Sequence, residues 1–327
     1  MRFAIYGAGA IGAYLGAKLA LAGEDVSLIA RGPHLRAMQE HGVRVHSPDG
    51  DFEAKPLVTD DPQQVGEVDY LVLAVKAHGL TAIAPLLAPL IGDGTAVVPA
   101  QNGIPWWYFQ RHGGPWEGTR LESADPGGVI AAHVPAERII GCVVYPAATI
   151  AEPGVIEHTE GDRFSIGELD GSTSDRCRAL SAAIGGAGLR APIRSNIRQE
   201  IWVKLLGNIA FNPVSALTKA SMAEIARDPD VSAVVRAMMA EASGVAAELG
   251  IDIPVSIDQR MAGAEKVGEH KTSMLQDVEA SKPLEVGGLV GTVLELGGML
   301  GRPMPYTSAV YACAKLLGVK TVEGATG

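Results

Sequence analysis

The sequence MRFAIYGAGAIGAYLG, residues 1–16, carries the pattern from which the fold of this chain is predicted. Residues Arg2 to Tyr6 are mostly apolar and predict a short buried strand, and the alanine-rich segment after them predicts a helix. Between the two, Gly7, Gly9 and Gly12 give the spacing G-x-G-x-x-G. A strand that ends in this spacing and leads into a helix is typical of a turn that binds a dinucleotide.

Each of the three glycines meets a different physical need. Gly7 permits a tight turn, Gly9 lets the backbone approach a pyrophosphate, and Gly12 lets the helix pack closely on the strand. The pyrophosphate would meet N–H groups at the positive end of a helix dipole. The alternative is a glycine-rich turn that binds nothing. The expected cofactor-binding turn comprises Gly7, Ala8, Gly9, Ala10, Ile11 and Gly12.

The second strand, DVSLIA at residues 25–30, ends at the position that selects the cofactor. An acidic residue there would bind the ribose hydroxyls of NAD, whereas an arginine would accept the 2′-phosphate of NADP. The chain has Arg31 at this position. Arg31 therefore favours NADP(H), against the alternative that it is an ordinary surface arginine.

Length and composition indicate the class of protein. At 327 residues the chain exceeds the usual size of one domain, so we expect two. A net charge of −10 opposes binding to nucleic acid, and the apolar runs are too short to span a membrane. The three cysteines are scattered, and their spacing suggests neither a metal site nor a disulfide. Because the chain opens on a core strand rather than a signal peptide, we expect a cytoplasmic protein.

Strands and helices alternate through the first part of the chain. Their order predicts an α/β fold with a Rossmann-type doubly wound sheet, in a domain that spans residues 1–195. Ligands bind beyond the carboxyl ends of such strands. Lys76 and Asn102 each follow a predicted strand, so each either binds a ligand or is a polar residue that leaves the sheet. Long amphipathic segments in residues 196–327 predict an all-α second domain.

One of these segments, EIWVKLLGNIAFNP at residues 200–213, carries polar residues in an apolar helix. Lys204, Asn208 and Asn212 are four residues apart and lie on one face, and Pro213 is expected to end the helix. The face is either a solvent-exposed stripe or a partly desolvated ammonium beside amides. The second interpretation would let the lysine polarise a carbonyl group and donate a proton to it.

A second cluster lies further along the chain. Ser273 and Gln276 form S-x-x-Q, which predicts a capping box at a helix start, and a substrate carboxylate could share that start. Glu285 follows Pro283, where a helix dipole favours an acidic residue. For Ser273 and Glu285 alike, a structural role at a helix start is the alternative to a functional one.

Other segments give local expectations. A helix is expected from about Leu80 to Leu90, a strand near Arg190 to Arg194, and a long helix from Ser221 to Leu249. The segment from Trp106 to Pro126 is loop-like and rich in aromatic residues. Such residues could line a pocket, cover a sheet edge or form a subunit contact. We expect these aromatic residues to be exposed, and together with the helical second domain they favour a homodimer.

These motifs together resemble the ketopantoate reductases (2-dehydropantoate 2-reductases). The residues that carry the resemblance are GAGAIG at 7–12, Arg31, Lys76, QNG at 101–103, Lys204, Asn208, Asn212, SMLQD at 273–277 and Glu285. The resemblance covers nearly the whole chain. It implies that NADPH is the cofactor, with Arg31 and Lys76 near its 2′-phosphate. It also implies that a small 2-oxo acid, ketopantoate, is reduced to pantoate in pantothenate biosynthesis.

The same resemblance implies a role for each site residue. Lys204 and Glu285 would be the catalytic residues: Lys204 as the general acid for the developing alkoxide, and Glu285 holding the hydroxyl end of the substrate. Asn102 would lie near both the nicotinamide and the substrate. No metal is expected. The expected substrate-binding residues are Asn102, Asn208, Asn212 and Ser273.

Three features depart from the pattern of the family. Gly287 stands where an aspartate is common, His270 stands where an asparagine often contacts substrate, and the aromatic loop from Trp106 is long. They leave open a second hypothesis, a related reductase that acts on another 2-oxo acid. A third hypothesis is a non-catalytic NADP-binding sensor.

Overall fold

The computed structural model describes residues 1–324 of the chain, which folds as two compact units. The first unit comprises residues 1–101, 109–119 and 127–197. The second comprises residues 102–108, 120–126 and the chain from 198 onward. Within residues 1–324, no helix combines the length and the apolar character needed to cross a membrane.

The strands found in residues 1–324 all belong to the first unit. In chain order they are β1 (Arg2–Tyr6), β2 (Asp25–Ile29), β3 (Val43–His46), β4 (Phe52–Ala54), β5 (Leu57–Thr59), β6 (Tyr70–Leu73), β7 (Ala96–Pro99), β8 (Ile140–Val144), β9 (Ala147–Glu152), β10 (Val155–Glu160) and β11 (Phe164–Glu168). Five of them form a parallel sheet in the order β5-β2-β1-β6-β7. Because these strands run in one direction, their carboxyl ends share one edge of the sheet. The glycine turn and Arg31 follow β1 and β2 at that edge.

The helices connect these strands and then form the regular structure of residues 198–324. They are α1 (Ala10–Leu21), α2 (Gly32–His41), α3 (Leu80–Ile83), α4 (Val129–His133), α5 (Asp175–Gly186), α6 (Ile197–Thr218), α7 (Met222–Arg227), α8 (Pro229–Glu248), α9 (Ile257–Val267), α10 (Ser273–Glu279), α11 (Thr292–Met299) and α12 (Pro305–Glu323). A π-helical turn, Gly287–Gly291, precedes α11. In residues 198–324 the regular elements are all helical. The predicted fold class, a Rossmann-type sheet followed by a helical part, is confirmed.

Helix α1 is apolar on more than one face because it packs against two sheets. On one side, a Cβ at Gly16 would lie only 2.4 Å from Leu28 of β2. On the other side, Tyr14 stacks on His158 of a second sheet, ordered β4-β3-β10-β9, with ring centroids 4.3 Å apart. Packing on both sides fixes the position of the glycine turn at the helix start.

Proline explains two of the local differences from the predicted helices. The expected helix from Leu80 to Leu90 is reduced to α3 and two short 3₁₀ turns, which contain Pro85 and Pro89. The expected helix from Ser221 to Leu249 breaks into α7 and α8 where Asp228 caps α8 and Pro229 begins it. Proline lacks the N–H group that a continuous helix needs, but it fits a first helical turn.

Two further expectations are corrected by long-range contacts. Pro213 does not end α6, which continues to Thr218 with the proline inside it. The residues around Pro213 are buried, so tertiary packing outweighs its helix-breaking tendency. The segment from Arg190 to Arg194 forms two isolated bridges, at Arg163 and Ile166, rather than a strand.

Candidate functional site

The three glycines of the first turn have different surroundings. Gly7 has a φ of +101°, and a Cβ there would lie 2.6 Å from the backbone nitrogen of Val75. A Cβ at Gly12 would lie 2.3 Å from the carbonyl oxygen of Gly7. A Cβ at Gly9 would have no atom within 4 Å among the residues that the structure describes. Packing therefore requires Gly7 and Gly12, whereas Gly9 leaves open space above the backbone.

That open space belongs to a cavity of about 440 Å³ at the carboxyl edge of the central sheet. Its floor includes the glycine turn, and its apolar wall includes Ala82, Ile83 and Leu86. Its polar lining includes Arg31, His34 and Asp60. A concave site with an apolar wall and a few polar groups is the usual form of a cofactor site.

Arg31 lies at the N-cap of α2 and lines this cavity together with Tyr6. Burial raises the pKa of the Tyr6 phenol above its ordinary value, while the positive charge of Arg31 acts in the opposite direction. The cavity thus contains a cation at the end of β2, where the sequence analysis expects a 2′-phosphate.

Four other expected cofactor residues do not line the cavity but lie close in sequence to residues that do. Ala10, Ile11 and Gly12 form the first turn of α1, and half-buried Lys76 directly follows Val75, which does line the cavity. Two lining residues, His34 and Asp60, were not predicted from the sequence. Asp60 directly follows the short strand β5, and the pairing of β5 with β2 brings it to the cavity.

In the second unit, the ammonium of Lys204 donates a hydrogen bond to Asn102 Oδ1 at 2.7 Å. Both side chains are half-buried. An ammonium group can only donate, so it fixes the orientation of the amide, with Oδ1 towards the lysine and the NH₂ group as the remaining donor. The contact excludes the interpretation of Lys204 as part of a solvent-exposed stripe.

The neighbour of Asn102 is seated against the π-helical turn. Gly103 has a φ of +91°, and a Cβ there would lie 2.1 Å from the carbonyl oxygen of Gly288. That carbonyl also accepts a hydrogen bond from Thr292 Oγ1 at 2.9 Å. Glu285 lies two residues before this turn, and its carbonyl accepts a hydrogen bond from the Leu289 N–H at 3.0 Å. The Asn102 segment and the helix start after Glu285 are therefore in direct contact.

The remaining polar residues of α6 also face inward. Asn208 is half-buried, and buried Asn212 donates to Ser273 Oγ at 3.4 Å. The predicted capping box at Ser273 is wrong by one residue, because Thr272 Oγ1 accepts the Leu275 N–H and caps α10. The hydroxyl of Ser273 faces Asn212 instead.

The aromatic residues after Asn102 anchor this segment. Trp106, Trp107, Tyr108 and Phe109 are buried, so the expectation that they are exposed is wrong. They therefore give no support to a homodimer. Two contacts join Tyr108 to α6: its hydroxyl accepts from Trp202 Nε1 and its carbonyl from Arg198 Nε, both at 2.7 Å. Burial raises the pKa of the Tyr108 phenol, which therefore stays protonated.

Comparisons with known proteins agree with this architecture. The family model "Ketopantoate reductase PanE/ApbA" matches residues 3–106, and "Ketopantoate reductase PanE/ApbA C terminal" matches residues 196–318. A 2-dehydropantoate 2-reductase of Mesorhizobium japonicum is 49% identical over 322 residues, which cover 98% of each chain. The chain belongs to the ketopantoate reductase family.

Two further proteins extend the similarity to more distant organisms and to a solved structure. A 2-dehydropantoate 2-reductase of Archaeoglobus fulgidus is 30% identical and covers 92% of both chains. The crystal structure of a Ralstonia solanacearum protein assigned to the same family has a TM-score of 0.93, with 42% identity and 98% coverage of both chains. The chain is therefore an oxidoreductase of this class, and the resemblance that its motifs indicate is confirmed.

Proposed function

We propose that this enzyme reduces 2-dehydropantoate to pantoate with NADPH, in pantothenate and coenzyme A biosynthesis. The observation that carries the proposal is the hydrogen bond from the Lys204 ammonium to Asn102 Oδ1. In a family of carbonyl reductases, a held ammonium that is partly shielded from water is suited to protonate a developing alkoxide.

The first unit fits a nicotinamide dinucleotide. The space above Gly9 is open, so a pyrophosphate can approach the backbone where any side chain would intrude. Arg31 supplies a cation for a 2′-phosphate, in a chain whose net charge of −10 otherwise opposes a polyanion. In this proposal residues 1–195 bind NADPH, with Lys76 assisting Arg31, and residues 196–327 bind the substrate.

Reduced nicotinamide supplies the hydride for the C2 carbonyl carbon. Lys204 donates a proton to the oxygen that becomes negatively charged, and Asn102 holds the ammonium in place for that transfer. Because one N–H of the ammonium is directed at Asn102, the directions of the other two are restricted. This orientation lowers the entropic cost of the proton transfer.

The remaining residues of the second unit are proposed to hold the substrate. Asn208 and Asn212 lie on the same face of α6 as Lys204, and Ser273 faces Asn212. Their amide and hydroxyl groups suit the carboxylate and carbonyl oxygens of a 2-oxo acid. We assign to Glu285 the hydroxyl end of ketopantoate, because a carboxylate accepts a hydrogen bond from an alcohol.

The test follows NADPH oxidation by the purified protein with ketopantoate, and compares Lys204→Ala with Lys315→Ala. Lys315 is an exposed lysine of α12 and serves as the matched control. We expect kcat of Lys204→Ala to fall by about a hundredfold or more, with the Kd for NADPH unchanged. Lys315→Ala should match the wild type.

Three results would contradict the proposal in different ways. Turnover of another 2-oxo acid but not of ketopantoate would keep Lys204 and change the substrate. NADPH binding without turnover of any 2-oxo acid would indicate a sensor. Full activity in Lys204→Ala would remove the assigned proton donor.

A further inference from the structure

The cofactor cavity of the first unit contains a carboxylate that the proposed function leaves unexplained. Asp60 is exposed and lines the cavity with Arg31. A carboxylate in a site for a polyanion lowers affinity unless it accepts a hydrogen bond from the ligand. We propose that Asp60 recognises the adenine base, by accepting a hydrogen bond from its exocyclic amino group. This inference rests on the proposed function, because it requires NADPH in the cavity.

The sheet order places Asp60 at the far end of the cavity from the glycine turn. Asp60 directly follows β5, which pairs with β2 in the register Ile29 to Thr59. The Ala30 N–H donates to the Thr59 carbonyl at 3.0 Å, so Ala30 and Asp60 are neighbours on adjacent strands. The glycine turn follows β1, on the other side of β2. Two strand spacings, about 10 Å, therefore separate the pyrophosphate position from Asp60, which leaves room for the ribose between them.

The turn after β5 is held by the residues on either side of Asp60. Thr59 Oγ1 accepts from the Asp61 N–H at 3.1 Å and donates to Gln64 Oε1 at 3.0 Å. Asp61 Oδ1 accepts from the Gln63 N–H at 2.9 Å. The flanking polar side chains thus hold the turn, while Asp60 lines the cavity.

Different side chains of the cavity suit the adenine base and the phosphate. An ionised carboxylate can only accept hydrogen bonds, so it repels a phosphate and suits an amino group. Arg31 is the group that suits the 2′-phosphate. The apolar wall of Ala82, Ile83 and Leu86 suits a flat base. Adenine combines an apolar face with an exocyclic N–H donor, and the cavity offers both an apolar wall and a carboxylate acceptor.

The test compares NADPH with its hypoxanthine analogue, in which an oxo group replaces the amino group of adenine. Dissociation constants are measured by fluorescence titration for the wild type, Asp60→Asn and Asp60→Ala. The matched control is Asp49→Asn, which removes an exposed carboxylate from the turn between β3 and β4. NADH is titrated in parallel to report on the 2′-phosphate end.

We expect the wild type and Asp49→Asn to bind NADPH at least about tenfold more tightly than the analogue, because a hydrogen bond to a charged group is lost. Asp60→Asn should reduce that preference to within about threefold, since an amide can donate to an oxo group as well as accept from an amine. Asp60→Ala should bind both forms equally. The ratio of NADPH to NADH affinity should stay the same in all variants.

The inference is overturned if the wild type and Asp60→Asn discriminate equally between the two bases. It is also overturned if Asp60→Asn changes the NADPH to NADH ratio instead, which would place the carboxylate beside the phosphate. A wild type that binds neither nucleotide would reject this inference and the assigned cofactor together. Base discrimination by Asp60 without turnover of ketopantoate would reject only the proposed reaction.

Discussion

The glycine turn of the first unit and the Lys204 contact of the second unit are built in different ways. The turn is made of near neighbours in sequence, and its limits are steric: a Cβ at Gly12 would come within 2.3 Å of the backbone. The Lys204 contact joins residues 102 positions apart by one charge-assisted hydrogen bond. The proposed cofactor-binding surface thus requires residues without side chains. The proposed catalytic contact instead requires that the Lys204 ammonium is held in place.

The largest expected effects come from adding one methyl group to the glycine turn. Gly9→Ala should fold normally, because its Cβ enters open space and the φ of −71° suits alanine, but its affinity for NADPH should fall by about a hundredfold. Gly12→Ala should lose about 3 kcal/mol of unfolding free energy, because its Cβ meets backbone. Urea unfolding and NADPH titration of both variants measure the two effects.

The comparison between Gly9 and Gly12 provides its own control, since the chemical change is identical. Equal loss of stability in both variants would show that the space above Gly9 is needed for folding. Unchanged NADPH affinity in Gly9→Ala would move the cofactor away from this turn.

The next effect tests whether the Lys204–Asn102 contact also requires a residue without a side chain, at Gly103. Gly103→Ala should lower kcat by about a hundredfold, because its Cβ would meet the Gly288 carbonyl and displace Asn102 from Lys204. The control is Gly23→Ala, an exposed position with a φ of +88° and no atom within 4 Å among residues 1–324. It carries the same backbone strain without the clash. If both variants lose activity equally, strain alone is responsible and Gly103 does not position Asn102.

The local nature of the glycine turn explains why it could be predicted from sequence. The separate needs of Gly7, Gly9 and Gly12 follow from one strand and one helix, and the three environments match those needs. The end of β2 at Arg31 could be predicted for the same reason. His34 and Asp60 could not, because their places depend on how α2 and β5 sit beside β2.

The Lys204 face was harder to predict because its meaning depends on long-range contacts. The spacing of Lys204, Asn208 and Asn212 was compatible with a solvent-exposed stripe as well as with a buried site, and only the fold brings Asn102 to the lysine. The helix cap was predicted at Ser273 but lies at Thr272, and the reason is again a long-range contact. Either hydroxyl can cap a helix, and in the fold Ser273 faces Asn212 instead.

A smaller effect tests whether a positive charge near the glycine turn contributes to the choice of cofactor. Arg31→Gln should reduce the preference for NADPH over NADH by about tenfold, because a charge-assisted hydrogen bond to the 2′-phosphate is lost. The exposed side chain of Arg31 makes a folding defect unexpected. Kd values for both nucleotides decide the matter, with Arg36→Gln on the outer part of α2 as the control. An unchanged preference would leave the specificity to other residues.

The smallest effect concerns pH. It compares the two regions by whether each contains a group that acid protonates. The Lys204–Asn102 contact contains no carboxylate or histidine. In the first unit, buried Glu168 of β11 accepts from Arg176 Nε at 2.8 Å and also from the Ser174 hydroxyl. Burial alone would raise the pKa of Glu168, but the hydrogen bonds from Arg176 and Ser174 outweigh it and hold the pKa below its ordinary value of 4.5.

Because the pKa of Glu168 is lower in the folded state, its contribution to stability is complete above pH 4.5 and is lost as the pH falls through the folded pKa. Glu168→Gln should therefore be about 1 kcal/mol less stable than the wild type at neutral pH, and the difference should shrink in acid. Urea unfolding of both proteins across this pH range gives the difference directly. If the difference in unfolding free energy stayed constant from neutral pH into acid, Glu168 would contribute through packing rather than charge. Acid would then have no specific effect on the first unit through this residue.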